Sequence, residues 1–483
     1  MRRTTTARPV RPRGTVSSDR DSRPSGQADL FDVDAAIVER PSITGEQAAA
    51  VRQMCRSGSP VDVVIAAAGT GKTFSLDAAR YAWEQSGFTV IGCALAAAAA
   101  QELQDSSGIP ACTLAKLSYH LGLGEVQLSA STVVVVDEAA MVGTRDLAEL
   151  LYRAEQALAK VVLVGDPKQL PEIAAGGVLG HVDARDRAIT LTENRRQQNP
   201  TERRAVAELR SGDVDEAIGL FKVHGGVVSG GNADTIRGRM VDDWWTHRQA
   251  GQSALMLARR NVDVEDLNRR ARTLMADAGR LVGEALIVMG RPFQIGDEIV
   301  CLRNNSSLRV NNGTVGTITD IDHHRQRRVT VDTIYGARTL DAAYVRAGWI
   351  RHGYAVTVHK AQGRTVDYGL LLGTDDLTRE SGYVGLSRGR QSNRLYTIET
   401  HRDDELDQHG RQGRRQEPAH LVLDALHQSS AKQLAIDQIT SAGHEGADIG
   451  RQRNAGSTSW ARRPAAVPAR RARGPRPCGS ARA

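Results

Sequence analysis

The sequence predicts an α/β protein built on a doubly wound parallel sheet, and three observations predict it. Apolar runs without alternation, VDVVIA at 61–66, VVVV at 133–136 and VVLV at 161–164, are what strands covered on both faces require. Helix-compatible segments separate them, from 72 onward, at 96–103 and at 145–156, in the alternation that gives parallel pairing. Polar loops follow the strands, and in such sheets the carboxyl ends of the strands are where ligands bind.

A chain of 483 residues, 40% of them hydrophobic, is long enough for roughly two to four domains with real cores. The formal charge of +7 and a pI near 9.3 point to a polyanionic partner, although the basic excess lies partly in the two ends. Cys55, Cys93, Cys112, Cys301 and Cys478 stand singly with no C-x-x-C pair, so neither a disulfide framework nor a zinc site is indicated, and a reducing cytoplasm fits. The basic N-terminus lacks the apolar core of a signal sequence, and no apolar run approaches the length of a membrane span.

Taken in order, residues 1–40 are rich in Arg, Thr, Ser and Pro and read as a flexible basic arm, its arginines either solvated or touching nucleic acid. Order is expected near Pro41, where SITGEQAAAVRQM puts Ser42 or Thr44 at a helix start and Gln47 in the first turn, by itself an ordinary helix residue. VDVVIAAAGTGKTFSL, 61–76, then reads as strand, phosphate-binding loop and helix. Gly69 and Gly71 let the backbone turn its amides inward. The stretch Ala68, Gly69, Thr70, Gly71, Lys72 and Thr73 forms the cradle, with Lys72 on the β and γ phosphates and the Thr73 hydroxyl as a ligand for Mg²⁺. Ala66 stands where the first glycine of such a loop is expected, which limits that position to negative φ.

VVVVDEAAM delivers two carboxylates to the same edge. Asp137 is placed to hold Mg²⁺ through its water shell and Glu138 to polarise an attacking water, the plain alternative being helix N-terminal charges. VVLVGDPKQLPEI, 161–173, offers Gln169 as a γ-phosphate sensor. LTENRRQ, 191–197, presents Arg195 and Arg196, a pair that is either solvated or contributes at least one arginine to charge spreading on a transferred phosphoryl group. From 296 to about 345 short strand-like pieces, DEIVCL, TVGTITDID, RRVTVDT and RTLDAAYV, are joined by turns and predict a small barrel. His323 and His324 fit a hairpin tip, or a metal for which no third ligand is spaced nearby. Beyond 400 a short amphipathic helix is expected at 419–427, then an Arg/Pro-rich tail expected to be disordered.

The ordered set TGEQ, AAAGTGKT, VVVVDEAA, GDPKQLP and ENRRQ resembles the superfamily 1 helicases, and among them the RecD-like branch and the C-terminal helicase half of conjugative relaxase-helicases of the TrwC/TraI type. YAVTVHKAQGRTVD, 354–367, resembles the family's motif V, and YVGLSRGR, 383–390, its motif VI, so the likeness covers 42–400. The resemblance implies two RecA-like P-loop NTPase domains, 41–200 and 201–400, with ATP between them and single-stranded DNA across their top. It also implies an SH3-like β-barrel insertion at 296–345, while composition gives the disordered basic tails at 1–40 and 401–483. By position it implies that Gln47 reads the adenine, that Lys72 and Thr73 bind phosphate and metal, and that Asp137 and Glu138 serve metal and water. Gln169 would couple nucleotide to DNA, and Arg196 and Arg388 would be arginine fingers. Thr357, His359 and Gln362 of motif V would face both DNA and nucleotide, and Thr113 DNA, although a lone His359 is more often a structural histidine.

The function so implied is an ATP-dependent DNA helicase or translocase, 5′ to 3′ by family branch, in conjugative transfer or in repair and recombination. ATP and Mg²⁺ would be its cofactors, the cytoplasm its place, and a separate relaxase or recombination proteins its candidate partners. Two other readings stay open, a non-hydrolysing helicase fold that only binds DNA and a RecD-like subunit of a nuclease complex; Lys72, Glu138 and Arg388 together argue for hydrolysis. Residues 1–40 hold neither tyrosine nor histidine, and Tyr81 and His120 fall inside the ATPase region, so a helicase half unable to nick DNA is expected.

Overall fold

The computed structural model describes residues 26–170, 178–183, 188–323, 328–398 and 418–429, all within one compact unit, Met1–Leu434. The first parallel sheet comprises β1 (Val61–Ala66), β2 (Thr89–Ala94), β3 (Ala111–Thr113), β4 (Thr132–Asp137), β5 (Lys160–Gly165) and β6 (Ile189–Leu191), in the order β3-β2-β4-β5-β1-β6. Its helices are α1 (Leu30–Val38), α2 (Gly45–Arg56), α3 (Lys72–Gln85), α4 (Ala97–Ser107), α5 (Leu114–Leu123), α6 (Thr144–Gln156) and α7 (Val178–Asp183). The valine runs serve both faces. Val133 and Val135 pack with α1 to α4, while Val134 and Val136 pack with α5 to α7, which is why β4 needs no polar alternation.

The chain continues through α8 (Pro200–Ser211), α9 (Val214–Val223), β7 (Val227–Val228), α10 (Ala233–Gln249), β8 (Ala254–Ala258) and α11 (Asn261–Asp277). An antiparallel hairpin follows, β9 (Val282–Val288) with β10 (Arg291–Ile295). Next come β11 (Glu298–Cys301), β12 (Val315–Ile321), β13 (Val329–Thr333), β14 (Gly336–Leu340), α12 (Ala342–Arg346) and β15 (Ile350–His352), whose strands pair antiparallel in the order β14-β13-β12-β11-β15. The chain then returns through β16 (Ala355–Thr357), β17 (Val366–Gly373), α13 (Arg379–Gly385), β18 (Gly389–Thr397) and α14 (Pro418–His427). Strands β16-β8-β17-β18-β7 form a second parallel sheet, with α8, α9 and α13 on one face and α10 and α11 on the other.

Three expectations change. The described residues are already ordered from Gly26, ahead of the expected start near Pro41. Asp29 caps α1 by accepting from Phe31 N, and Val33 and Ala36 are buried against α3 and the first sheet, so α1 belongs to the core rather than to an arm. The β-rich stretch is also wider than 296–345, with a hairpin before it and β15 closing onto β11 after it. Within it the DAAYV stretch is helical, because Asp341 accepts from Tyr344 N at 2.7 Å and starts a turn of helix. Residues 1–25 of the expected arm, the tail from 430 and His324 lie outside the described residues.

Candidate functional site

The site starts where β1 stops. Ala66 ends the strand, buried and without a positive φ, so the missing glycine costs nothing at that position. Gly69 and Gly71 do require theirs, with φ of 83° and 75°. A Cβ on Gly69 would lie 2.6 Å from Asn194 Oδ1 and 2.7 Å from Arg196 Cβ, and one on Gly71 would lie 2.5 Å from Gln47 Nε2. Gly71 caps α3 with no side-chain acceptor, so the amides at the start of that helix, where its positive dipole end lies, are left for a ligand. The loop is held from β6 and the segment after it, by Ala67 N donating to Leu191 O at 3.0 Å and Arg195 N to Gly69 O at 2.8 Å.

Lys72, Asp137 and Glu138 converge as expected. Lys72 Nζ lies 2.9 Å from Asp137 Oδ1 and 2.6 Å from Glu138 Oε1. Burial works against the ammonium, but Asp137 and then Glu138 outweigh it and hold Lys72 above its ordinary value. For Glu138 burial is likewise outweighed, by Lys72 first, with Gln362 and Arg388 adding, and the carboxylate stays charged. For Asp137 burial wins over Lys72 and raises the acid. Glu138 also sits at φ 51°, in the left-handed region, which turns its side chain back toward Lys72 just beyond β4.

The second sheet reaches the same point. Gln362, expected to face both DNA and nucleotide, donates from Nε2 to Glu138 Oε2 at 2.9 Å, and its own Oε1 is buried without a partner. Arg388 is 2% exposed and is fixed by Val384 O at 2.7 Å and Ser387 Oγ at 2.7 Å. Arg196 Nη1 donates to Ser387 O at 2.9 Å, which sets the two arginines side by side. Burial, together with Arg196, pushes the Arg388 guanidinium down to about 9, a crowding that an anion would relieve. Arg196 is likewise lowered, by burial first.

Gln47 lies beneath the loop, with its amide already committed: Nε2 donates to Thr70 O at 2.8 Å and Oε1 accepts from Thr44 N at 3.1 Å in a capping box. Gln169 is not in the Lys72 cluster; it donates to Asp166 Oδ2 at 3.4 Å. Thr113 and Thr357 both end edge strands, β3 and β16, and each caps the following turn by accepting from Lys116 N and Lys360 N. His359 is exposed beside Thr357. Sequence reasoning missed three partners here: Tyr383, Asp166 and Gln197. Gln197 is 1% exposed and donates to Ser387 O at 3.1 Å and Gly389 O at 2.9 Å, bracketing Arg388. The Asp of GDPKQLP was the one signal that could have been used.

The donors suit a hard cation and a polyphosphate: free helix-start amides, a hydroxyl at Thr73 and the carboxylate of Asp137 on one side, two crowded arginines on the other.

A family model described as an AAA domain matches residues 42–232. The conjugal transfer protein TraA of Agrobacterium fabrum is 33% identical over 359 residues, 73% of this chain and 32% of that protein. The ATP-dependent RecD2 DNA helicase of Deinococcus radiodurans is 27% identical, over 73% of this chain and 48% of that protein. The chain thus spans about a third of the length of the TraA relatives it matches. Among solved structures, Bacteroides Pif1 bound to ssDNA superposes with a TM-score of 0.51 at 17% identity, covering 83% of this chain and 97% of that one, which shows a shared fold. No described helix is long and apolar enough to cross a membrane. With the ordered motifs and the cluster they build, these likenesses support a RecD-like superfamily 1 helicase, to which the chain is similar over about three quarters of its length.

Proposed function

We propose that this chain is an ATP-dependent DNA helicase or translocase that couples ATP hydrolysis to movement on single-stranded DNA. The observation that carries the reading is that one carboxylate, Glu138, is held from both parallel sheets, by Lys72 at 2.6 Å and by Gln362 at 2.9 Å. A nucleotide whose phosphates lie between Lys72 and Arg388 would be gripped by both sheets, and its hydrolysis would release one from the other. The two sheets are read as RecA-like domains at 41–200 and 201–400, with the antiparallel sheet as an SH3-like insertion about 296–345.

Within this reading Lys72 and the loop amides bind the phosphates, Glu138 orients the attacking water, and Arg196 and Arg388 take up charge on the transferred group. Mg²⁺ would be held by Thr73 and Asp137 and would neutralise charge on the phosphates. Thr113, Thr357 and His359, at the exposed ends of edge strands, are assigned to single-stranded DNA. The engaged amide of Gln47 supports a role in shaping the loop, with adenine contact following only if that bond exchanges. A 5′ to 3′ polarity, a cytoplasmic setting and service to a separate relaxase or to recombination proteins rest on family branch.

The test is phosphate release by the purified chain with and without single-stranded DNA, followed by strand displacement on duplexes carrying either a 5′ or a 3′ tail. DNA-stimulated turnover and displacement from the 5′-tailed duplex are expected. DNA binding without any turnover would assign the fold to a binding module instead.

A further inference from the structure

Outside the residues just assigned, the phenol oxygen of Tyr383 is held from both sides at the junction of the two sheets. The side chain rises from α13 and is 1% exposed. Its hydroxyl accepts from Ala68 N, in the phosphate loop, at 2.7 Å and donates to Asp166 Oδ2, just beyond β5, at 2.9 Å. Asp166 is itself 1% exposed and also receives Arg210 Nη2 of α8 at 3.0 Å and Gln169 Nε2 at 3.4 Å. The carboxylate fixes the direction of the phenol proton, so the oxygen lone pair has to face the loop amide. A phenol buried this deeply is tolerated only with such partners. The next residue along, Val384, offers its carbonyl to Arg388 Nε at 2.7 Å. One turn of α13 therefore holds the phosphate loop by one residue and an arginine of the opposite wall by the next.

We propose that Tyr383 is a positioning residue that sets the phosphate loop according to where α13 stands, so that the second sheet controls the loop directly as well as through the nucleotide. The proposal rests on the hydrolysis reading above. When α13 stands against the first sheet, Ala68 N–H and Asp166 are both satisfied and the loop is fixed for catalysis. When α13 withdraws, both lose the phenol together: the Ala68 amide is left without an acceptor and Asp166 keeps only Arg210 and Gln169, so the loop and the Gln169 segment loosen as a unit. One donor and one acceptor change state through a single hydroxyl, which makes the coupling abrupt rather than graded.

The experiment uses the full chain and Tyr383→Phe, which keeps the ring and its packing and removes only the bridging oxygen. At saturating single-stranded DNA, kcat for ATP is expected to fall about tenfold while KM for ATP moves less than about threefold, the pattern of a lost interaction that matters on the way to the transition state. Adding Gln169→Ala should cost little more than the worse single change, because both act through Asp166. Asp166→Asn, which leaves the tyrosine in place, should give the same split between kcat and KM. A stimulated kcat within about twofold of the parent in either folded variant, or losses that multiply fully in the double variant, overturns the proposal. Absence of turnover in the parent chain is a separate result, read first, and strikes the hydrolysis reading itself.

Discussion

Gln362 and Glu138, 224 residues apart in the chain, are joined at 2.9 Å between an amide of the second-sheet segment and a carboxylate of the first. The other oxygen of that carboxylate receives Lys72 at 2.6 Å, so Glu138 is aimed by two donors from opposite sides. Replacing Gln362 with Ala removes one of them. DNA-stimulated kcat should fall about tenfold with nucleotide affinity largely kept, as measured by phosphate release and by titration of a fluorescent ATP analogue. An equal loss in both would move Gln362 into the nucleotide-binding set.

Glu138→Gln and Lys72→Ala should separate chemistry from binding. The first leaves an isosteric, uncharged group and is expected to lower kcat by about 10²- to 10⁴-fold with ATP binding preserved. The second removes a phosphate contact and the ammonium that Asp137 and Glu138 share, so it should weaken ATP binding as well as turnover. Intact nucleotide affinity in Lys72→Ala would contradict the placement of phosphates beside that ammonium.

His352 gives a dependence of stability on pH. It is 9% exposed, donates from Nε2 to Pro292 O at 2.9 Å, and stacks on Phe293. Burial lowers its pKa, Asp297 opposing only in part. The unfolded chain therefore takes up a proton below about pH 6.5 where the folded chain does not, and the stability from this group is present above that value and lost as pH falls toward the folded pKa. Melting temperature should drop between pH 7 and pH 5.5, and His352→Gln should flatten that part of the profile. An unchanged slope would mean that other groups carry the acid sensitivity.

Truncation should show a sharp boundary. Deleting residues 1–25 is expected to leave the melting temperature in place, and to lower the salt dependence of DNA binding if their arginines release counterions. Deleting 1–40 also removes α1, uncovers Val51, Ala79 and Trp83, and strips Trp83 Nε1 of its bond to Gly26 O at 3.0 Å. That change should cost about 3 kcal/mol or more, judged from the buried apolar groups lost, and appear as a lower denaturant midpoint. Equal midpoints for the two truncations would remove α1 from the core.

Much of the site was legible because its chemistry is local. A glycine loop after an apolar strand, and two carboxylates after an all-valine one, must emerge at the same edge of a parallel sheet, and Lys72, Asp137 and Glu138 do meet there. What stayed hidden depends on long-range choice of partner. Nothing near Gln47 tells whether its amide serves a base or the Thr70 carbonyl, and nothing near Tyr383 points to Asp166, 217 residues earlier. The arm was misjudged for another reason. Composition averaged over residues 1–40 conceals the short stretch in which Asp29 caps a helix and Val33 and Ala36 fall on one face.

The place of β1 in its sheet sets a timetable for synthesis. β1 emerges first of the six strands but is paired between β5 and β6, with Val61 opposite Val161 and Val64 opposite Ile189. It has no neighbour in the sheet until β5 has been made, and the Ala67 amide has no acceptor until Leu191 has followed. Until then VDVVIA is an unprotected, β-prone apolar segment on a nascent chain, the kind that binds its like on a crowded polysome. Ribosome pauses before residue 191 should therefore leave chains that depend on holding chaperones, whereas pauses after it release a first sheet already closed.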